Sequence, residues 1–181
     1  MTIPTTVESP FQIMEIQTGP WAPITENPVL ELKGNEVVVS CPQITARLSY
    51  TPLPGFEQEL PHGRWDSVER TLDGVPGHKD AGPGLRRFAF LGAPVHGALH
   101  QIVDTTQLVA DYCVIHHHDD AAELNVLLPG DPDRPLEFDL YNEGSLVGHA
   151  PLSLWIPVNA GHCAMATAGT GFFFVLRMPL V

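Results

Sequence analysis

Short runs of hydrophobic residues separated by turn residues dominate the chain from Leu85 onward. The runs are LRRFAFLG, HGALHQIV, LVADYCVIHHH, ELNVLLPGD, LEFDLYNEG, LSLWIP, HCAMATAG and TGFFFVLRMP. Many short runs rich in β-branched and aromatic residues, with almost no helical periodicity, are typical of a sandwich, a jelly roll or a small barrel. We therefore predict an all-β core over residues 85–178, with about eight strands.

The first third of the chain has a different pattern. Residues 1–36 alternate short apolar stretches with five prolines, which suit an extended arm or an edge strand. Such an arm needs a surface, which is either the flank of this barrel or the sheet of a neighbouring subunit, so a homodimer formed through the arm is one of two predicted arrangements. Residues 37–49 are rich in β-branched positions and predict one or two strands.

Residues 54–84 form a Gly/Pro-rich polar insertion. A loop of this length in a compact domain is either a functional lid or an idle insertion. Within it, Asp66 and Glu69 have capping-box spacing, which predicts one or two helical turns. The arm, the insertion and the core barrel together make a single predicted domain over residues 1–181.

Composition limits the function classes. At 181 residues and 19.7 kDa the length suits one domain. A net charge of -12 disfavours nucleic acid, which requires clustered cations.

No apolar run approaches the roughly 20 residues of a membrane span, and the N-terminus lacks a secretory pattern. These features, with three widely spaced cysteines, predict a cytoplasmic protein with reduced thiols. Nine histidines against two lysines is the unusual ratio.

Three of the histidines are consecutive, at positions 116–118. In a strand, residues i and i+2 share a face, so His116 and His118 are expected to project together while His117 points away. A turn at residues 119–122 would then return Glu123 to their side. Such a histidine pair alone is more often ordinary than metal-binding. Together with Glu123, it suggests a metal site.

The spacing His116-x-His118-x4-Glu123-x6-Gly130 resembles the first motif of the cupin superfamily. Pro157 to His162 is similar to the second motif, P-x-G-x2-H, with Asn159 in place of the glycine. Asparagine tolerates the left-handed backbone conformation that such a turn requires. Ala110 and Ala166 also depart from residues common in the family, although neither is a ligand position.

The resemblance implies a cupin-like jelly-roll barrel that holds one divalent metal ion. Carried over residue by residue, the implied ligands are His116, His118, Glu123 and His162. Such a set leaves one or two coordination positions open on an octahedral ion, which is typical of a catalytic site. Imidazole ligands do not select the ion. Fe(II) is favoured as the commonest case in the family, with Zn(II) and Mn(II) as alternatives.

Further candidates surround the implied metal. Tyr112 is either a proton donor or a core aromatic residue, and Asn125 is a candidate to bind substrate or to support a ligand. His100, with His96 on the same predicted face, is either an acid/base group or an ordinary strand histidine.

Arg86 and Arg87 must point to opposite faces. An inward Arg87 would require an anion such as a substrate carboxylate, while the alternative places both arginines at the barrel rim.

The function implied by this resemblance is a metal-dependent cupin enzyme acting on a small organic metabolite that carries a carboxylate or a chelating group. Fe(II)-dependent dioxygenase or oxidase chemistry is the first hypothesis. The second is a redox-neutral Zn(II) or Mn(II) isomerase, lyase or rearrangement enzyme of a biosynthetic pathway. The third is a cupin that binds a ligand without catalysis.

Overall fold

The computed structural model describes residues 9–54, 56–142 and 145–180. This part of the chain forms thirteen β-strands and one turn of 3₁₀ helix, Thr105–Gln107. The first six strands are β1 (Phe11–Thr18), β2 (Val29–Lys33), β3 (Glu36–Cys41), β4 (Ile44–Tyr50), β5 (Gly63–Glu69) and β6 (Leu85–Phe90). The others are β7 (His96–Ile102), β8 (Ala121–Pro129), β9 (Glu137–Asn142), β10 (Ser145–His149), β11 (Leu152–Ile156), β12 (His162–Ala168) and β13 (Gly171–Pro179).

The strands form two antiparallel sheets. The larger sheet has the order β1-β4-β3-β2-β5-β6-β7-β13-β8-β11, and the smaller sheet has the order β10-β9-β12. The larger sheet curls until its two end strands, β1 and β11, come into contact. The predicted all-β fold class with a barrel-like sheet is confirmed. Within the described residues, no helix is long and apolar enough to cross a membrane.

The main hydrophobic core lies inside the curled ten-stranded sheet. Alternate residues of β2 and β3 point inward and are fully buried, as the period-two pattern of a half-buried strand requires. The inward residues of these strands are Leu30, Leu32, Val37 and Val39. Leu124 and Val126 of β8 and Phe172, Phe174 and Leu176 of β13 complete this core from the opposite side.

A second core lies between β9 and β12 of the smaller sheet and the central strands of the larger one. Phe138, Phe173 and Val175 belong to it. The rings of Phe138 and Phe173 stack with centroids 5.0 Å apart. Consecutive residues of β13 therefore serve different cores: Phe174 faces the main core, and Phe173 faces the space between the two sheets.

The N-terminal residues are built into the larger sheet. β1 pairs with β4, and β2 lies between β3 and β5. The described part of residues 1–36 thus lies on the sheet of its own chain, which is one of the two predicted arrangements, and residues 1–8 lie outside the described part. The homodimer stays a prediction.

The helical turn predicted around Asp66 and Glu69 is wrong, because these residues lie in β5. Pairing with β2 on one side and β6 on the other overrides the local capping signal. β5 also divides the predicted insertion: residues 70–84 continue as turns, with positive φ at Gly74, Gly77 and Gly82. The lid role stays a prediction.

The strand predicted over residues 108–118 is also wrong. This segment forms isolated bridges, Cys113 with His78 and His116 with His162, and contains Asp111 with a φ of 55°. Conversely, β10 (Ser145–His149) was not predicted. The described residues from 85 onward therefore form eight strands, as expected in number, but one of the predicted strands is replaced by β10.

Candidate metal centre

The two ligand motifs are tied together through their backbones. The N–H of His116 donates to the carbonyl of His162 at 3.0 Å, and the N–H of His162 donates to the carbonyl of His116 at 2.8 Å. The N–H of Asn159 donates to the carbonyl of His118 at 2.8 Å. Asn159 has a φ of 64°, which confirms the left-handed conformation expected for the residue in place of the family glycine.

This pairing brings three imidazoles together. The ring centroids of His116 and His162 are 4.4 Å apart, and His118 lies 5.1 Å from each of them. One nitrogen from each of the three rings lies within 4.8 Å of the others. His116 and His118 therefore meet as predicted, although irregular backbone rather than a regular strand positions them.

Glu123, at the start of β8, joins two of these imidazoles. Its Oε2 lies 3.1 Å from Nε2 of His118, and its Oε1 lies 3.5 Å from Nε2 of His162. The side-chain amide of Asn125, two residues along the same face of β8, donates to Oε1 at 2.7 Å. The structure thus brings the four predicted ligands together and places Asn125 against the carboxylate.

The imidazoles are oriented as metal ligands are. Nδ1 of His116 lies 2.8 Å from the carbonyl of Val114, and Nδ1 of His162 lies 3.0 Å from the carbonyl of Ala160. A ring that donates its Nδ1–H to a carbonyl presents the lone pair of Nε2 on the opposite side. Nε2 of His162 is buried without a hydrogen-bond partner among the described residues. The donor set therefore fits a divalent metal ion.

The electrostatics of the cluster favour a negative Glu123. Burial opposes ionisation of Glu123, but the adjacent imidazoles of His118 and His162 outweigh it and hold the pKa of this carboxyl well below its usual range. Burial also opposes protonation of His162, yet the adjacent carboxylate raises the pKa of its imidazole. The cluster thus supplies one fixed negative charge at the point where the three rings converge.

A second group of donors lies beside the first and shares His116 with it. It consists of His78, Cys113 and His116, with the rings of His78 and His116 5.0 Å apart. A hydrogen bond with Cys163 and burial raise the pKa of the Cys113 thiol, which makes it a poorer thiolate donor. The three cysteines are free, in agreement with the prediction of reduced thiols. The first group, with its carboxylate, is the stronger candidate metal centre.

The cluster opens into a cavity between the two sheets. The cavity is small, about 50 Å³, and is partly open to solvent. All eight predicted site residues line it: Arg87, His100, Tyr112, His116, His118, Glu123, Asn125 and His162. Arg177 and His78, which were not predicted as site residues, also line the cavity.

Tyr112 is buried behind the histidines. Its hydroxyl oxygen accepts the backbone N–H of Ala166 at 2.7 Å, and burial raises the pKa of Tyr112. The phenol thus stays protonated at neutral pH, which either predicted role allows. Val114, two residues further along, is 44% exposed, because this segment is not a regular strand.

The remaining histidines have separate environments. His117 is exposed, consistent with its expected outward orientation. His149 is exposed and lies 3.6 Å from Glu137, and His62 accepts the N–H of Gly34. His96 lines the cavity where its strand begins.

Replacing Gly77 by alanine tests whether the loop of residues 70–84 positions His116. Gly77 has a φ of +77°, and an added Cβ would lie 2.5 Å from Cγ of His116. We expect Gly77→Ala to weaken metal binding roughly 10-fold or more, because the ring must move. Gly74→Ala is the matched control, since Gly74 has a φ of +78° and open space around it. Equal metal affinity of the two variants, in chelator competition, would contradict this role.

The pH dependence of stability should report the burial of His100. Burial lowers the pKa of its imidazole well below the ordinary value, and Arg87 adds to this effect. Below about pH 6.5 His100 binds a proton in the unfolded chain but stays neutral in the folded chain. The free energy of unfolding therefore falls with decreasing pH. The slope from this residue is up to about 1.4 kcal/mol per pH unit. We expect His100→Gln to lose less stability than the wild type in urea unfolding between about pH 7 and about pH 5. The exposed variant His149→Gln should retain the wild-type pH dependence.

Together, the strand topology and the cluster of three histidines with one glutamate define an antiparallel β-barrel with a candidate metal centre. No family model matches the chain, and no curated protein matches it. Among solved structures, the chain is similar to an RmlC-like cupin from Shewanella frigidimarina, with 18% identity, a TM-score of 0.41, and coverage of 63% of this chain and 94% of that one.

It is also similar to KdgF from Halomonas sp., with 14% identity, a TM-score of 0.40, and coverage of 61% of this chain and 94% of that one. A third structure is hydroxypropylphosphonic acid epoxidase from S. wedmorenis, with 11% identity, a TM-score of 0.39, and coverage of 63% of this chain and 55% of that one. Similarities of this size support no conclusion about activity.

Proposed function

We propose that this protein is a metal-dependent cupin enzyme that converts a small organic metabolite, with Fe(II)-dependent oxidation or oxygenation as its reaction class. The observation that carries the proposal is the convergence of three imidazoles and the buried Glu123 on one side of a cavity between the two sheets. A purely structural metal site would need no adjoining cavity, whereas an octahedral ion held by these four residues would keep one or two coordination positions open toward it.

His116, His118, His162 and Glu123 would hold the ion. Fe(II) there would supply redox chemistry with dioxygen, whereas Zn(II) or Mn(II) would supply Lewis acidity without redox change. The ligand nitrogens and the carboxylate are oriented by groups of the chain: carbonyls hold the Nδ1 atoms of His116 and His162, and the amide of Asn125 holds Oε1 of Glu123. This preorganisation is typical of catalytic centres.

The walls of the cavity suit a partly apolar metabolite. Phe138, Phe173 and Val175 provide apolar surface next to the donors. Tyr112, protonated and buried, is proposed as the proton donor to the reacting group, and its backbone hydrogen bond to Ala166 fixes the hydroxyl oxygen in place. Tyr112→Phe should therefore lower kcat more than it changes KM, because binding of an apolar ring surface is retained.

Metal analysis after anaerobic purification tests the proposal. We expect close to one iron per chain, and oxygen uptake when the iron-loaded protein is supplied with a panel of small carboxylic and hydroxy acids. Stoichiometric zinc, with conversion that is indifferent to the absence of oxygen, would overturn the oxidative proposal in favour of the redox-neutral one. Ligand binding without turnover under every metal would instead identify a binding protein.

A further inference from the structure

We propose that Arg87 and His100 form an anion-binding subsite within the cavity, and that they hold a carboxylate or phosphate group of the substrate. This inference rests on the proposed function, since it assumes that the metabolite enters the cavity beside the histidine cluster. It adds the chemical class of that metabolite and the residues that recognise it.

Arg87 is a buried cation with no ionic partner in the described chain. It is 6% exposed and lines the cavity, and none of the ion pairs among the described residues involves it. Its neighbour Arg86 faces the other way and donates from Nε and Nη2 to the two carboxylate oxygens of Glu69, both at 2.7 Å. Because an arginine remains protonated, burying one without a partner costs free energy that a bound anion would offset.

His100 supplies a second unsatisfied group at the same place. It is the register partner of Arg87 across β6 and β7, so their Cα atoms face each other in neighbouring strands. His100 is also 6% exposed, and its Nε2 is buried without a hydrogen-bond partner among the described residues. A buried guanidinium and a buried imidazole nitrogen side by side, both lining the cavity, fit the oxygens of one anionic group.

The charge balance of the cavity points the same way. Besides Arg87, the lining includes Arg177, whose Nε is buried without a partner in the described part of the chain and whose Nη2 contacts the exposed Asp120 at 3.1 Å. Glu123 is the only carboxylate among the described lining residues. Because Asp120 pairs with Arg177, Arg87 and Glu123 balance each other in the metal-free cavity, and a bound divalent ion would make it positive, which favours an anionic ligand.

The positions of the two subsites define the shape of the ligand. Glu123 pairs with Arg177 on β13, whereas His100 pairs with Phe173, four residues earlier on the same strand. That separation is roughly 13 Å along the strand at the Cα atoms, and the inward side chains shorten it. The apolar side chain of Val175 lies between the two rows. The predicted substrate therefore has an anionic group at one end, a reacting group at the other, and an apolar part between them.

Anion binding to the metal-free protein tests this inference independently of turnover. We would titrate EDTA-treated protein with butanoate, with its neutral isostere butanamide, and with inorganic phosphate at constant ionic strength, and measure binding by calorimetry or NMR. Butanoate or phosphate should bind and butanamide should not, and the stronger of the two anions identifies the natural group. Arg87→Met should weaken anion binding roughly 10- to 100-fold, with Arg87→Lys in between. Arg86→Met is the matched control and should bind as the wild type does.

Stability separates a ligand-binding arginine from a structural one. Without anion, Arg87→Met should melt at the same temperature as the wild type or higher, because it removes an unpaired buried charge. A lower melting temperature together with unchanged anion affinity would overturn the proposal, as would equal binding of butanoate and butanamide. Metal content and oxygen uptake are measured separately. A failed anion-binding test therefore does not contradict the proposed metal enzyme, and absence of metal or turnover does not contradict the anion subsite.

Discussion

Glu123→Gln will weaken metal binding by about 100-fold or more while the fold remains intact. The substitution keeps the shape of the side chain but removes the single negative charge that His118 and His162 contact. A desolvated divalent cation among neutral imidazoles depends on that charge, and even the loss of a supporting hydrogen bond typically costs 10- to 100-fold in affinity. Chelator competition and elemental analysis of the dialysed protein measure the effect.

Glu137→Gln is the matched control for this experiment. Glu137 also lies beside a histidine, His149, at 3.6 Å, but both side chains are solvent-accessible and neither residue belongs to a ligand motif. The control should keep the wild-type metal content. If Glu123→Gln also retains one tightly bound ion per chain, the ligands lie elsewhere. The group of His78, Cys113 and His116 is then the next to test, with Cys113→Ala.

Phe174→Ala should lower the free energy of unfolding by about 3–5 kcal/mol, the usual cost of removing a large buried aromatic side chain. Phe174 is fully buried in the main core, on the strand paired with both β7 and β8, and its ring lies 6.4 Å from that of Phe90. For a chain of this size, a loss of that magnitude lowers the melting temperature by roughly 10 °C. Urea unfolding gives the free energy directly.

Met14→Ala provides the surface control on β1. Met14 is 66% exposed, so its truncation should change stability by less than about 0.5 kcal/mol. A cost below about 1 kcal/mol for Phe174→Ala would mean that the N-terminal strands do not pack against β13 as described.

The sequence was most informative where local pattern and structure coincide. The run TGFFFVLRMP forms β13. Its successive side chains point alternately to the two faces of the sheet, so one face packs into each core. The four proposed ligands lie together, as the spacing of the two motifs predicts, even though the residues around His116 do not form the expected strand. An irregular segment takes the place of that strand. The β-bridge between His116 and His162 places these two ligands next to each other.

Long-range pairing explains what the sequence could not predict. β5 is a strand because β2 and β6 flank it, which a capping pattern at Asp66 does not reveal. Alternation required one of Arg86 and Arg87 to point inward, but only the register with His100 decides that it is Arg87. His78 reaches the site through the path of a loop, and no periodicity encodes such a path.

The two faces of β13 have a consequence for how the site can change. The wall that carries Phe173, Val175 and Arg177 has the main core directly behind it, so a ligand cannot displace this wall without disturbing close-packed side chains. Residues 70–84 and 108–120 contain most of the irregular backbone around the cavity, including His78 and His116. Selection for a new substrate would therefore act on the residues of these two loops other than His116 and His118, while the strands preserve the positions of Glu123, His162 and the anion subsite.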